Sequence, residues 1–328
     1  RAIQEFKFTW EDRNFNLTAS VGVVPMNTEN EDAAAFLTIA DSACAAAKEA
    51  GRNRIYTYQE NDIDMMRRRR EIQWAARINN ALEEGRFELF RQTILPLNGK
   101  DEHEHGEHYE LLLRMRDEQG LLVSPELFIT AAERYGIMPS IDRWVFENAL
   151  AWLVSEADER ERLAMCSINL SGQSFTDDKF LPFVVDQLRH SGIDASKICF
   201  EITETAAIAS YAQASRFINA LKELGCMFAL DDFGTGLSSF GYLKHFPVDF
   251  LKIDGSFVKE MLHDPIDREM VRSINEIGHL TGKQTIAEFA ENKDIITMLK
   301  GMGVDYAQGY GVSEPKRILR AQSIEYAD

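Results

Sequence analysis

The chain has 328 residues, 45% of them apolar, which is enough for a sizeable core and excludes a disordered protein. Acidic residues outnumber basic ones 53 to 36, and the resulting charge of -17 repels polyanions, which excludes a general nucleic-acid-binding surface. No apolar run approaches the roughly 20 residues that cross a bilayer, and no secretory leader is evident, so the chain is expected to be cytoplasmic, alone or as the cytoplasmic part of a longer membrane-anchored sensor.

Residues 1–58 open with an antiparallel hairpin, "FKFTWEDRNFNLTASVGVV", turning at "EDRN". A helix follows across "EDAAAFLTIADSACAAAKEAG", which Gly51 can end, and then the short strand "RIYTY". So short a segment buries little core by itself and reads as the trailing part of a domain. In "ASVGV" and "ADSACAAAKEAGRNR" it resembles the end of the GGDEF family of diguanylate cyclases, with Ala45 where that family usually has tyrosine. The glycine-glycine-acidic signature of that family is absent from these residues, so cyclase activity is not expected of them. The four cysteines, Cys44, Cys166, Cys199 and Cys226, lack CxxC spacing and are expected to be reduced and structural.

Residues 59–84 carry helical periodicity in Ile72, Trp74, Ile78 and Leu82, with Gly85 as a stop, and read as a linking helix. The Arg67–Arg70 run on it is read as a solvated, salt-bridged face, and Met65 and Met66 as packing. From residue 85 to 328 short apolar runs alternate with amphipathic stretches. Eight strands are predicted, at "FELFRQTIL", "YELLLRM", "AMCSINL", "ICFEIT", "CMFALD", "DFLKID", "QTIAEF" and "VDYAQG". Helices between them end at Gly192, Gly225 and Gly282. This pattern predicts an α/β fold of the TIM type, a (β/α)₈ barrel, and no glycine-rich phosphate fingerprint favours its rival, an open doubly wound sheet. The tract at His103, His105 and His108 is read as a solvated hairpin loop.

In such a barrel the chemistry gathers at the carboxyl ends of the strands. Those ends supply Glu110, Arg114, Asn169, Glu201, Glu204, Asp231, Asp232, Lys252, Asp254, Glu288 and Gln308. Several of these acids directly follow buried apolar residues, where an unpaired anion costs several kcal/mol. One lysine cannot neutralise them all. Hard oxygen ligands without histidine or thiolate favour two Mg²⁺ or Mn²⁺ ions, and adjacent aspartates allow one carboxylate to bridge such a pair.

"ELLLR", "INLS", "FEITE", "DDFGTG", "LKID", "AEFAE" and "QGY", in this order, resemble the EAL family of cyclic di-GMP phosphodiesterases across residues 72–320, with Leu111 in place of the alanine of the name motif. The resemblance implies that Glu110, Asn169, Glu201 and Asp231 hold one metal and Asp231 and Asp232 the other, with Glu288 and Gln308 completing the second. Catalysis would fall to Lys252, Glu288, Asp232 and Glu110, with Lys252 orienting the attacking water. Gln92, Leu112, Arg114, Asp254 and Gln308 would bind substrate, and Thr93 stands where the family commonly has proline. Thr235 and Glu291 would anchor a mobile loop at "DDFGTGLSS", although Glu291 also reads as a helix N-terminal acid favoured by the dipole. The implied reaction opens cyclic di-GMP to linear pGpG in bacterial second-messenger signalling of the kind that governs biofilms, by a homodimer paired through the barrel. Two rivals stay open: a non-catalytic cyclic di-GMP receptor, and a barrel lyase using a metal enolate.

Overall fold

A computed structural model describes residues 7–10, 13–16, 18–25, 40, 43–48, 52–57, 63–98, 106–235 and 240–318. The chain forms two compact units, divided between Ile78 and Asn79.

In the first unit, β1 (Lys7–Trp10) and β2 (Arg13–Asn16) form the expected hairpin, with Trp10 opposite Arg13. Strands β3 (Val21–Val23) and β4 (Ile55–Thr57) pair in parallel. Helical residues 43–48 cover that pair through Ala43 and Ala46, which pack on Val24 and Tyr56. Gly22 permits the close approach, since a Cβ there would lie 2.4 Å from the Ala40 carbonyl oxygen. Gly51 and the turn residues Glu11 and Asp12 lie outside the described residues. The linking helix is α1 (Ile63–Glu83), and the left-handed Gly85 follows its end. The side chains of Met65, Met66 and Arg67–Arg70 on that helix lie outside the described set.

The second unit is the expected eight-stranded barrel. Its staves are β5 (Phe87–Pro96), β6 (Glu107–Arg116), β8 (Leu163–Asn169), β9 (Ile198–Thr203), β10 (Met227–Phe233), β11 (Phe250–Ile253), β12 (Gln284–Ala287) and β13 (Tyr306–Gln308). They close because β5 pairs with both β6 and β13. One departure from a fully parallel barrel stands out: β5 runs antiparallel to both neighbours, while the other barrel pairings are parallel. A hairpin therefore starts the barrel. His103 and His105 lie outside the described residues, while His108, read from the sequence as part of a solvated loop, belongs to β6. Two short edge strands, β7 (Leu122–Val123) on β6 and β14 (Lys316–Arg317) on β5, flank the closure.

Helices pack outside. Three of them, α2 (Pro125–Arg134), α3 (Met138–Ser155) and α4 (Ala157–Arg162), lead from β7 to β8. The stretch at 174–192 breaks into α5 (Gly172–Thr176) and α6 (Phe180–Ser191) around Asp177, with Gly192 left-handed at the end. The helices with stops predicted at Gly225 and Gly282 are α8 (Tyr211–Lys222) and α10 (Pro265–Leu280), and both glycines have positive φ. Between staves and helices, Phe200 stacks against Phe228 and Phe146 with centroids 5.6 and 5.5 Å apart. Inside the barrel, Ile94, Met165, Cys199, Ala229, Phe250 and Ile286 form one apolar layer. Three of the cysteines are buried and free, as expected of reduced structural thiols, and Cys44 is half-buried. No helix among the described residues is long and apolar enough to cross a membrane.

Candidate active site

Side chains alternate along a strand, so the residue two steps beyond an inward apolar one also faces the barrel axis. That step takes Cys199 to Glu201, Ala229 to Asp231, Phe250 to Lys252 and Ile286 to Glu288. A polar ring is thus stacked on the apolar layer. Glu110, Glu201, Asp231, Lys252, Gln92 and Gln308 in it are buried.

Lys252 is the hub. Its Nζ lies 2.5 Å from Glu201 Oε2, 2.8 Å from Glu288 Oε1, 3.2 Å from Asp231 Oδ1 and 3.4 Å from Glu110 Oε2. Asn169 Nδ2 donates to Glu110 Oε1 at 2.5 Å, and Gln308 Nε2 donates to Glu110 Oε2 at 2.8 Å. Gln308 also donates to Gln92 Oε1 at 3.2 Å, and Gln92 donates to the Ser313 carbonyl at 3.0 Å. Thr93 uses the backbone N–H that a proline would lack, donating to Ser313 Oγ at 3.2 Å.

Asp232 sits in the left-handed region with φ 54°, a conformation aspartate tolerates better than most residues. Its N–H donates to Asp231 Oδ1 at 3.0 Å. One carboxylate oxygen from each of Asp231, Asp232 and Glu288 lies within 4.8 Å of the others.

Burial pushes Glu201 well above the ordinary carboxylate range, Glu110 and Asp231 add to the effect, and Lys252 opposes it. Asp231 is raised for the same first reason, against Lys252. Glu288 is pushed up to about 8 by burial, with Lys252 pulling down and Asp231 and Glu110 pushing up. Burial, then Asp231 and Asp254, lift Asp232 to about 6; its side chain is solvent-exposed, so the neighbouring carboxylates are the firmer cause. Burial works against the Lys252 ammonium, but Asp231, Glu110, Glu201 and Glu288 outweigh it and hold the group charged.

One ammonium among these acids leaves negative charge uncompensated. Glu201 Oε1 and Gln308 Oε1 are buried with no hydrogen-bond partner among the described residues, which is costly unless a cation completes them. Oxygen donors from Glu110, Asn169, Glu201, Asp231, Asp232, Glu288 and Gln308, with no histidine or thiolate, fit hard divalent cations.

Beside the ring opens a cavity of about 340 Å³. Gln92, Glu110, Leu112, Arg114, Glu288 and Gln308 line it, and so do Lys259, Phe289, Glu291 and Tyr310. Arg114 is held over the Phe90 ring, 5.8 Å from its centroid, and donates to the Leu113 carbonyl at 2.8 Å. Asp254 does not line this cavity. It caps α9 (Gly255–Glu260), accepting from Ser256 N at 2.9 Å.

Segment 236–239, which follows Asp232 and Thr235, lies outside the described residues. Thr235 Oγ1 donates to the Asp232 carbonyl at 3.1 Å, and Glu291 lies on the cavity wall. A further acid, Glu204 at the first position of α7 (Glu204–Ala209), accepts from Gly234 N at 3.2 Å and from the Tyr242 hydroxyl at 2.8 Å, one on either side of that segment. Sequence reading placed Glu204 on the rim but gave it no role, and it missed Lys259, Phe289 and Tyr310. A glutamate whose spacing from Glu201 spans the strand-to-helix turn was the available signal for the first.

The EAL domain family model matches residues 75–315, and the diguanylate cyclase GGDEF domain model matches residues 1–54. Cyclic di-GMP phosphodiesterase PdeB of Shewanella oneidensis is 38% identical over 92% of this chain and 35% of its own length. Cyclic di-GMP phosphodiesterase PdeF of Escherichia coli is 36% identical over 74% of this chain and 32% of its own. The chain thus spans about a third of these relatives. The crystal structure of the FimX EAL domain from Pseudomonas aeruginosa bound to c-di-GMP is 32% identical, with a TM-score of 0.68 over 74% of this chain and 96% of the other.

Proposed function

Because the chain belongs to the EAL domain family, we propose that it is a phosphodiesterase that hydrolyses cyclic di-GMP to linear pGpG with two divalent cations on the barrel rim. The supporting observation is the polar ring itself: one buried ammonium, Lys252, amid Glu110, Glu201, Asp231 and Glu288, with a Glu201 oxygen still unpartnered among the described residues.

Glu110, Asn169, Glu201 and Asp231 would hold one ion, and Asp231 and Asp232, with Glu288 and Gln308, the other. When bound, Mg²⁺ or Mn²⁺ supplies Lewis acidity toward the phosphodiester oxygens and toward water. In the proposed reaction, water adds at phosphorus, the bond from phosphorus to the 3′ oxygen breaks, and that oxygen leaves with a proton, giving a 5′-phosphate and a free 3′-hydroxyl. Lys252, fixed by its carboxylates, orients the water and offsets the charge that develops on the phosphoryl oxygens. Gln92, Leu112, Arg114 and Gln308 receive the dinucleotide in the adjoining cavity. Asp254 contributes through its cap and its charge beside Asp232. Glu204 accepts from residues on both sides of segment 236–239, Thr235 adds a tie to the Asp232 carbonyl, and Glu291 on the cavity wall would anchor the loop together with Thr235. Pairing of two copies through the barrel belongs to the same reading.

The test is purified protein incubated with cyclic di-GMP and Mn²⁺, Mg²⁺ or EDTA, with nucleotides separated by chromatography. Metal-dependent pGpG is the expected product. Binding without turnover supports the receptor, and turnover of small oxo-acids with inert cyclic di-GMP supports the lyase.

A further inference from the structure

The segment after the last stave walls the cavity with Gly309, Tyr310 and Pro315 and then joins the barrel as β14 on β5. It is seated where the chain turns at Phe289, left-handed with φ 51°: Ala290 N donates to the Gln308 carbonyl and Gly311 N to the Ala290 carbonyl, each at 2.8 Å. The fit is close, since a Cβ on Gly311 would lie 2.7 Å from that Ala290 oxygen. Between this seat and β14 comes Ser313, which touches the first stave twice. Its hydroxyl accepts from Thr93 N at 3.2 Å, and its carbonyl accepts from Gln92 Nε2 at 3.0 Å.

The second contact sets the polarity of a buried chain of amides. A glutamine presents donors at one end of its amide and an acceptor at the other, and its neighbours decide which way round it sits. A carbonyl only accepts, so Ser313 draws the Gln92 nitrogen to itself and turns Gln92 Oε1 toward Gln308. Gln308 Nε2 answers by donating to Gln92 Oε1 at 3.2 Å and to Glu110 Oε2 at 2.8 Å. Were Gln92 reversed, two amide nitrogens would face each other between buried side chains and each would lose a partner. In the observed order the Gln92 nitrogen keeps a second hydrogen, available to an acceptor in the cavity that Gln92 lines.

We propose that Ser313 is a positioning residue for substrate binding: clamped by the Thr93 N–H, it holds the Gln92 amide in the one orientation that offers the dinucleotide a donor. The proposal rests on the phosphodiesterase reading and adds to it a residue that touches neither metal ligand nor substrate. Thr93 takes part through its backbone alone. Glu110 holds Gln308 independently of the clamp. Loss of the clamp therefore disorders Gln92 first, and acts on binding more than on chemistry.

The experiment is steady-state release of pGpG from cyclic di-GMP by the whole chain in Mn²⁺, with a melting temperature for each protein. Ser313→Ala removes the hydroxyl and keeps the carbonyl. Its KM is expected to rise roughly tenfold, the worth of about one hydrogen bond, with kcat lowered less than about threefold. Its melting temperature is expected to stay within about 2 °C of the wild type. Ser313→Thr returns the hydroxyl and should restore the wild-type KM. Thr93→Pro deletes the N–H and should raise KM as Ser313→Ala does, and the double variant should raise it no further, because both changes remove the same bond. Wild-type KM in Ser313→Ala, with or without a lowered melting temperature, overturns the clamp. So does a KM equally raised in Ser313→Thr, or additive rises in the double variant. Should Thr93→Pro fail to fold, the two Ser313 variants carry the test. Wild-type protein that neither binds nor cleaves cyclic di-GMP removes the phosphodiesterase reading and this proposal together. Wild-type protein that cleaves it while the variants keep the wild-type KM removes this proposal alone.

Discussion

Lys252 Nζ lies 2.5 Å from Glu201 Oε2, and the other oxygen of that carboxylate is buried without a partner among the described residues. Removing the ammonium leaves a buried cluster of like charges. Lys252→Met is therefore expected to lose about 3 to 5 kcal/mol of stability in EDTA, as when one partner of a buried ion pair is deleted. Mn²⁺ should raise the melting temperature of the variant more than that of the wild type, because cations then supply all the compensation. Thermal melts in EDTA and Mn²⁺ check this, and turnover should fall in kcat more than in KM.

Asp232 offers an exposed carboxylate on one side of the ring, shared with Asp231 and Glu288 within 4.8 Å. Asp232→Asn is expected to lower turnover by about 100-fold or more, since even indirect partners of metal ligands cost 10- to 100-fold. Dinucleotide binding should persist, because the cavity wall is untouched. Parallel assays of pGpG release and of equilibrium binding distinguish the two, and unchanged turnover removes Asp232 from the second metal.

Glu204 ties Gly234 N and the Tyr242 hydroxyl, residues on either side of the loop segment 236–239. Glu204→Ala leaves both donors without that acceptor. Hydrogen exchange at the Gly234 amide should accelerate by about tenfold or more, corresponding to a charge-assisted bond of about 1.5 to 3 kcal/mol. Tyr242→Phe should free only the hydroxyl and change exchange at Gly234 far less. Equal protection in all three proteins would show that Glu204 does not fasten the loop.

Asp142 is buried in α3, where it accepts from Ser171 N at 2.9 Å and from the Ser174 hydroxyl at 2.7 Å. Burial nevertheless pushes its carboxyl up from 3.8 to about 6, against those bonds. The folded state therefore holds this proton more tightly than the unfolded one. The stabilisation is fully present below about pH 4 and is lost as pH rises through about 6, a change of about 3 kcal/mol. Asp142→Asn should flatten that part of the stability curve and equal or exceed the wild type above pH 7, as read from denaturant midpoints at pH 4.5, 6 and 7.5.

Most staves were legible because a buried parallel strand writes itself as an apolar run, and "ICFEIT" coincides with residues 198–203 of β9. The direction of β5 is not evident from its apolar run, although the sequence holds a trace of it. In the parallel staves the apolar residue precedes the polar one, as in Cys199 and Glu201, whereas in β5 Gln92 precedes Ile94, as an inverted strand requires. Glu204 escaped because a rim ligand and a loop fastener are the same residue type at neighbouring turns, and only the Gly234 and Tyr242 contacts separate them. Phe289 escaped because nothing in "QTIAEF" signals a left-handed residue. Its backbone is set by Gln308 and Ile253, distant in sequence.

The closure of the barrel has a kinetic consequence. Gln308 pairs opposite Ile94 across the antiparallel seam, so the first stave made waits for the last before the cylinder exists. Loop-closure entropy over so long a stretch must be met before those contacts return anything, which slows folding and leaves open sheet edges on incomplete chains. A nascent polypeptide halted before Tyr306 would carry most of the acidic ring but no sealed wall to hold it, and so would remain inert until its final strand emerged.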